Sequence, residues 1–421
     1  MSQPTRILIA LIVGLLLGIL SADLAPSLTA RAILIADPIG GMWLDALRMT
    51  IVPLVVSLLI TGIAATAEAA RAGRLTLRAL ILFVAILWTS SLLAALLLPL
   101  FFALWPLPTA SGDALRIALG SVPGRMGEVP GIGQFLRGIV PTNPVAAAAN
   151  DMLLPLIFFT TLFGFAATRL PPEPRRQLTA FFSAVGDAML VVIGWVLWIG
   201  PLGVFALAYG VGAKAGAGAV GALAHYILAV SSLGMVIWLL AYPLARFGAG
   251  IGIVAFARAL APAQAVAVST QSSLASLPSM LAGAERLGVP IRSAGVVLPL
   301  AVALFRATGP AMNLGVALYI AYWFGIPLSP LQLAAGIAAG AITTMGAASL
   351  PGQVSFITSI APIALAMGVP IEPLALLIAV EVLPDIIRTV GNVTMDVAVT
   401  LVAARGVEPR GEVRATDGVA P

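Results

Sequence analysis

Glu381-Val382-Leu383-Pro384-Asp385-Ile386-Ile387-Arg388-Thr389-Val390-Gly391-Asn392-Val393-Thr394-Met395-Asp396 places four charges inside a run that is otherwise apolar from about 374 to 401. At roughly 100° per residue, Glu381, Asp385, Arg388, Thr389, Asn392 and Asp396 share one stripe of a helix, while Leu383, Ile386, Ile387, Val390, Val393 and Val397 cover the rest. A charge at the bilayer centre costs about 2.5 to 3.5 kcal/mol on insertion scales, so such groups turn toward protein or water and mark function. An Asp385/Arg388 pair at i, i+3 would account for two of them as helix glue. Three acids against one arginine leave negative charge over, which calls for a bound cation or a proton.

Composition sets the class around this helix. With 60% apolar and 9% charged residues over 421 positions, and a mean hydropathy of +1.09, the chain reads as an all-α polytopic membrane protein. The absence of cysteine excludes a disulfide framework or a thiolate metal site. The net charge of +5 is carried almost wholly by arginines between apolar runs; it reads as membrane topology and not as a nucleic-acid surface.

Residues 6–22 are predicted as the first span, although Arg6 followed by an apolar stretch and Ser21-Ala22-Asp23 has the outline of a signal peptide. Gly14 and Gly18 form a GxxxG there, a sign of close helix packing. Further runs at about 45–66, 77–105, 145–168, 180–208 and 222–245 are long enough to cross a hydrocarbon layer of about 30 Å. Arg71, Arg74 and Arg78, then Arg169, Arg175 and Arg176, then Arg246 and Arg258, then Arg405 and Arg410 fall on one side together with Arg6. That predicts an even number of spans with both termini cytoplasmic; Arg116, Arg125 and Arg137 dissent.

After residue 250 the pattern changes. Segments 255–288 and 333–368 each hold two apolar arms of about 12 to 15 residues, too short to span, around a small, polar tip. The first tip is Ser269-Thr270-Gln271-Ser272-Ser273-Leu274-Ala275-Ser276-Leu277-Pro278 and the second Ala347-Ala348-Ser349-Leu350-Pro351-Gly352; both carry Ser-Leu-Pro. Each is followed by a long apolar helix with a polar interruption, at 294–324 and 372–403, so the last 170 residues read as two copies of one unit. Broken helices at matching places in two repeats point to a transporter's midplane site. Helix N-termini at the tips would attract a carboxylate.

On the serine-rich tip, the Leu-Pro-Gly of the second tip, the Asp, Arg-Thr, Asn-Val-Thr and Asp of the last helix, and the stretch from Asn143-Pro144 to Phe159, the chain resembles the dicarboxylate/amino acid:cation symporters, the glutamate transporter family, from the first span to about residue 403. The resemblance implies eight transmembrane helices plus two re-entrant hairpins in inverted repeats, a homotrimer in the inner membrane of a prokaryote surrounded by lipid, no cofactor, and a transport part sliding against a fixed scaffold. Spans 1, 2, 4 and 5 within residues 1–250 would be scaffold; spans 3 and 6 and residues 251–405 would move; residues 406–421 would be a cytoplasmic tail. It further implies that Arg388 holds the side-chain carboxylate of a small acidic amino acid or dicarboxylate, that Asp385 holds an ammonium, and that Thr389 and Asn392 complete the polar shell. Ser272, Ser273 and the second tip, with Ser349, Pro351 and Gly352, would receive the α-carboxylate. Asp396, with Asn392, resembles a sodium ligand, and Thr89 and Ser90 match residues near the family's ion sites.

The chain departs from the family where an Asn-Met-Asp-Gly-Thr motif is expected, having Arg306-Ala307-Thr308-Gly309-Pro310. Asn and Asp offer the oxygens a sodium ion needs; arginine has no acceptor. Arg306 is therefore expected to stand in for one coupling cation beside Asp396 or Asp385, with Glu381 taking a proton and Thr308 at the same break. Arg306 as a mere helix tie is the plainer alternative. An anion pore lined by Arg306 and Arg388 is another. An intramembrane serine hydrolase would need a base, and the sequence holds one histidine, His225, expected at a membrane interface, and one lysine, Lys214, in an outer loop. The Gly-rich stretch Gly210 to Gly221 lacks P-loop order and is predicted to be a flexible connector.

Overall fold

The computed structural model describes residues 3–71, 73–107, 137–150, 152–216, 218–346 and 352–405. These contain seventeen α-helices and no strand. The first half holds α1 (Gln3–Leu24), α2 (Pro26–Arg48), α3 (Ile51–Arg71), α4 (Arg74–Leu104), α5 (Pro144–Ala149), α6 (Leu153–Ala167), α7 (Pro172–Trp198), α8 (Gly200–Ala215) and α9 (Gly218–Pro243). The second holds α10 (Ile253–Thr270), α11 (Ser273–Arg286), α12 (Ile291–Leu304), α13 (Gly309–Phe324), α14 (Pro330–Gly346), α15 (Gly352–Ala366), α16 (Leu374–Leu377) and α17 (Val382–Ala404).

Among the described residues, eight helical stretches are long and apolar enough to cross a membrane. The count equals the expected eight, but the membership differs. The run at 145–168 is split: Asn143 caps α5 by accepting from Val145 and Ala146 N–H, and the chain breaks after Ala149, leaving α6 with fifteen residues. Conversely α10, expected as a short arm, has eighteen residues and meets the criterion. It turns back all the same, because Gln271 adopts φ +51° and Ser272 starts α11. The arms α10–α11 and α14–α15 pack as antiparallel pairs: a Cβ on Gly283 would lie 3.0 Å from the Ala259 carbonyl, and one on Gly340 3.6 Å from Ile363.

Helix α2 was hidden in the sequence by Arg31, Asp37, Pro38 and Asp45. Its buried Gly40, Trp43 and Leu47 form a face against α8, and the Trp43 indole N–H donates to Val196 O at 2.9 Å. The GxxxG of α1 packs on α8: a Cβ on Gly14 would sit 2.7 Å from Phe205 O. Gly212 meets Leu15 in the same way, so most of the Gly-rich stretch is helix and not a flexible connector. Lys214 closes α8 and pairs with Asp37 at 2.9 Å.

Several basic loops meet at one end of the molecule. Arg71 donates to Thr168 O (3.2 Å), Arg78 to Arg405 O (3.2 Å) and Arg405 to Gly248 O (2.7 Å). Gln3 instead donates to Leu197 O near the far end of α7, so the N-terminus is not gathered with them. Helix α17 is the centre of the second half, packed by α4, α9, α10, α11 and α12 and buried along most of its length.

Candidate functional site

The polar stripe of α17 faces inward as its periodicity requires. Glu381, Asp385, Arg388, Thr389, Asn392 and Asp396 are all buried, while Leu383 is exposed. The Arg388 guanidinium reaches three acceptors: Glu381 Oε1 at 2.5 Å, Asn313 Oδ1 of α13 at 2.6 Å and Asp385 Oδ1 at 3.4 Å. A guanidinium has five N–H donors in a planar fork, so these partners hold it in one orientation. The Tyr226 hydroxyl of α9 lies beside Glu381 without a hydrogen bond of ordinary geometry. Thr389 donates to the carbonyl one turn back, Asp385 O.

The break between α12 and α13 lies against this stripe. Asn392 Oδ1 accepts from the Thr308 backbone N–H (2.9 Å) and the Thr308 hydroxyl (2.8 Å), and that hydroxyl also lies 3.1 Å from Arg388 O. The side-chain oxygen expected to face substrate or sodium is thus filled by the protein. Ser90 of α4 donates to Ala307 O at 2.6 Å, joining the break from the other side. Thr89 is exposed and bonds back to Ala85 O, so α4 does not bring it to the site. Arg306 is half-buried, within electrostatic reach of Asp385, Asp396 and Arg388. Asp396 is fully buried, and neither carboxylate oxygen has a hydrogen-bond partner among the described residues.

At the first tip Ser272 accepts from Ala275 N–H (3.2 Å) as the N-cap of α11, and Ser273 opens that helix, both half-buried. Ser349 and Pro351 lie outside the described residues; Gly352 begins α15.

The sodium:dicarboxylate symporter family matches this sequence over residues 4–406. The chain belongs to that family. It is 29% identical over 412 residues to a proton/glutamate-aspartate symporter of Escherichia coli, covering 96% of this chain and 92% of the relative. It is 28% identical to a proton/sodium-glutamate symport protein of Bacillus subtilis (95% and 92%) and 28% to a C4-dicarboxylate transport protein of Rhizobium leguminosarum (95% and 88%). The chain is therefore a multi-pass membrane protein of a symporter family and not an enzyme.

Within this family member two polar contributors were missed from sequence. Asn313, seven residues beyond Arg306, lies on the face of α13 turned to α17; as one amide in an apolar helix it named no partner. Gln264 of α10 donates to Thr394 at 2.9 Å, tying the first hairpin to the site helix. His225 is buried, with Nδ1 2.9 Å from the Tyr319 hydroxyl and Nε2 2.8 Å from Trp105 O at the end of α4.

Proposed function

We propose that this chain imports a small acidic amino acid or C4-dicarboxylate in symport with a cation, and that the cation is a proton. The observation that carries it is the buried Arg388 held by Glu381, Asp385 and Asn313. A planar guanidinium suits a carboxylate of the substrate, which would exchange with Glu381 when that acid takes a proton. Proton coupling is supported by the Asn392 oxygen being filled by Thr308 and by Arg306 standing near Asp396, which leaves few oxygens for sodium. Asp385 would hold a substrate ammonium, and the cap of α11 at Ser272 and Ser273, with the second tip, would receive a second carboxylate. In the same reading the protein is a homotrimer of the bacterial inner membrane with the basic loops around Arg71, Arg78 and Arg405 cytoplasmic, and α4 with α9–α17 slide against α1–α3 and α5–α8.

The test is uptake of labelled L-aspartate and succinate into proteoliposomes under an inward proton gradient without sodium, and separately an inward sodium gradient. Proton-driven accumulation is expected. Accumulation only with sodium would overturn proton coupling, and downhill flux of anions without accumulation under either gradient would overturn symport in favour of a pore.

A further inference from the structure

We propose that a cavity between α3, α6 and α7 binds the phosphate of an anionic phospholipid headgroup. It measures about 590 Å³ and lies at the end of the molecule where the basic loops meet, remote in sequence from every residue of the α17 site. Arg71, Arg175 and Arg176 line it with Thr168 and Ser183; the acid in its wall is Glu68. With Arg176 paired to Glu173, Arg71 and Arg175 stand against Glu68, which leaves one positive charge over. Arg71 spends one N–H on Thr168 O and Arg176 pairs with the exposed Glu173. Arg175, half-buried, makes no ion pair among the described residues. Guanidinium and hydroxyl donors converging on one space are the chemistry that holds a phosphate group.

The surroundings favour a lipid over a soluble phosphate. Leu162 and Phe165 of α6 are 54% and 57% exposed. Leu162 precedes Thr168, which lines the cavity, by six residues, about 9 Å along α6 away from the basic end. An open basic cavity beside a helix whose next turns expose Phe165 and Leu162 offers charge to a headgroup and an apolar surface to its acyl chains. Basic pockets between transmembrane helices are where such headgroups bind.

The test uses the purified, delipidated full chain, titrated with phosphatidylglycerol or phosphatidylcholine and read by native mass spectrometry, with inorganic phosphate as competitor. Phosphatidylglycerol is expected to be retained over phosphatidylcholine. Arg175→Gln should weaken that retention about fivefold, the equivalent of about 1 kcal/mol for one arginine near the surface. Arg31→Gln on exposed α2, with the same loss of charge, should leave it unchanged. Ser183→Trp keeps every charge but fills the space, and should abolish the preference; it decides the matter if Arg175→Gln does not fold. Equal retention of both lipids, or retention unaffected by Ser183→Trp, would overturn the proposal. Displacement by inorganic phosphate at concentrations comparable to the lipid would also overturn it, assigning the cavity to a soluble anion.

Discussion

Arg388 is a buried cation whose three polar partners among the described residues are oxygens that a substrate carboxylate could replace. Lysine keeps the charge and loses the fork. Arg388→Lys should therefore leave a folded protein, judged by monodisperse elution, while raising the KM for aspartate about 10- to 100-fold, the loss of a charge-assisted bond worth about 1.5 to 3 kcal/mol. An unchanged KM would remove Arg388 from the binding site. Glu381→Gln keeps the hydrogen-bond geometry and abolishes the proton exchange, so proton-driven accumulation should fall to background while exchange of internal for external substrate persists. Arg306→Ala should make transport depend on an added monovalent cation; normal transport with the same cation dependence would reduce Arg306 to a helix tie. The acid–base stripe was legible in the sequence because a 3.6-residue period forces those side chains onto one face. Their partners on α9 and α13 were not, since a lone Tyr226 or Asn313 in an apolar helix carries no record of what it faces.

At the scale of elements, small residues let the helices approach. A Cβ on Gly14 would meet both Phe205 O at 2.7 Å and Ala208 Cβ at 3.0 Å. Neither the backbone nor a helical alanine can yield, so Gly14→Leu should lower stability by at least about 1 to 3 kcal/mol, seen as a fall in the thermal midpoint. The same substitution at Gly41, where nothing lies within 4 Å of the added carbon, is the control and should leave it unchanged. The GxxxG was visible in the sequence, its partner was not: α8 is distant in sequence, and Gly210 and Gly212 read as loop because glycine serves turns and close packing alike. The hairpins were legible from their polar tips. The length of α10 was not, because Pro262 lies within a helix that continues through it to Thr270.

At the scale of the molecule, one ion pair ties the two proposed parts together: Arg48, ending α2, lies 2.7 Å from Glu372, just before α16. Both side chains are 38% exposed, so the bond is worth at most about 1 kcal/mol. It must nonetheless break if the parts slide. Arg48→Gln and Glu372→Gln should each speed substrate exchange, and the double variant should be no faster than either; additive effects would mean the residues act separately. Composition and arginine placement made the membrane class legible, whereas which helices meet across the molecule depends on pairings that no local pattern encodes.

The clasp at Thr308 has a last consequence. Its amide proton is bonded to the Asn392 side chain and not to a backbone carbonyl, so its isotope exchange with heavy water reports on a side chain 84 residues away in sequence. If α17 turns when substrate arrives, that one proton should exchange at a different rate while the amides of the flanking turns keep theirs, a built-in gauge of the helix's rotation.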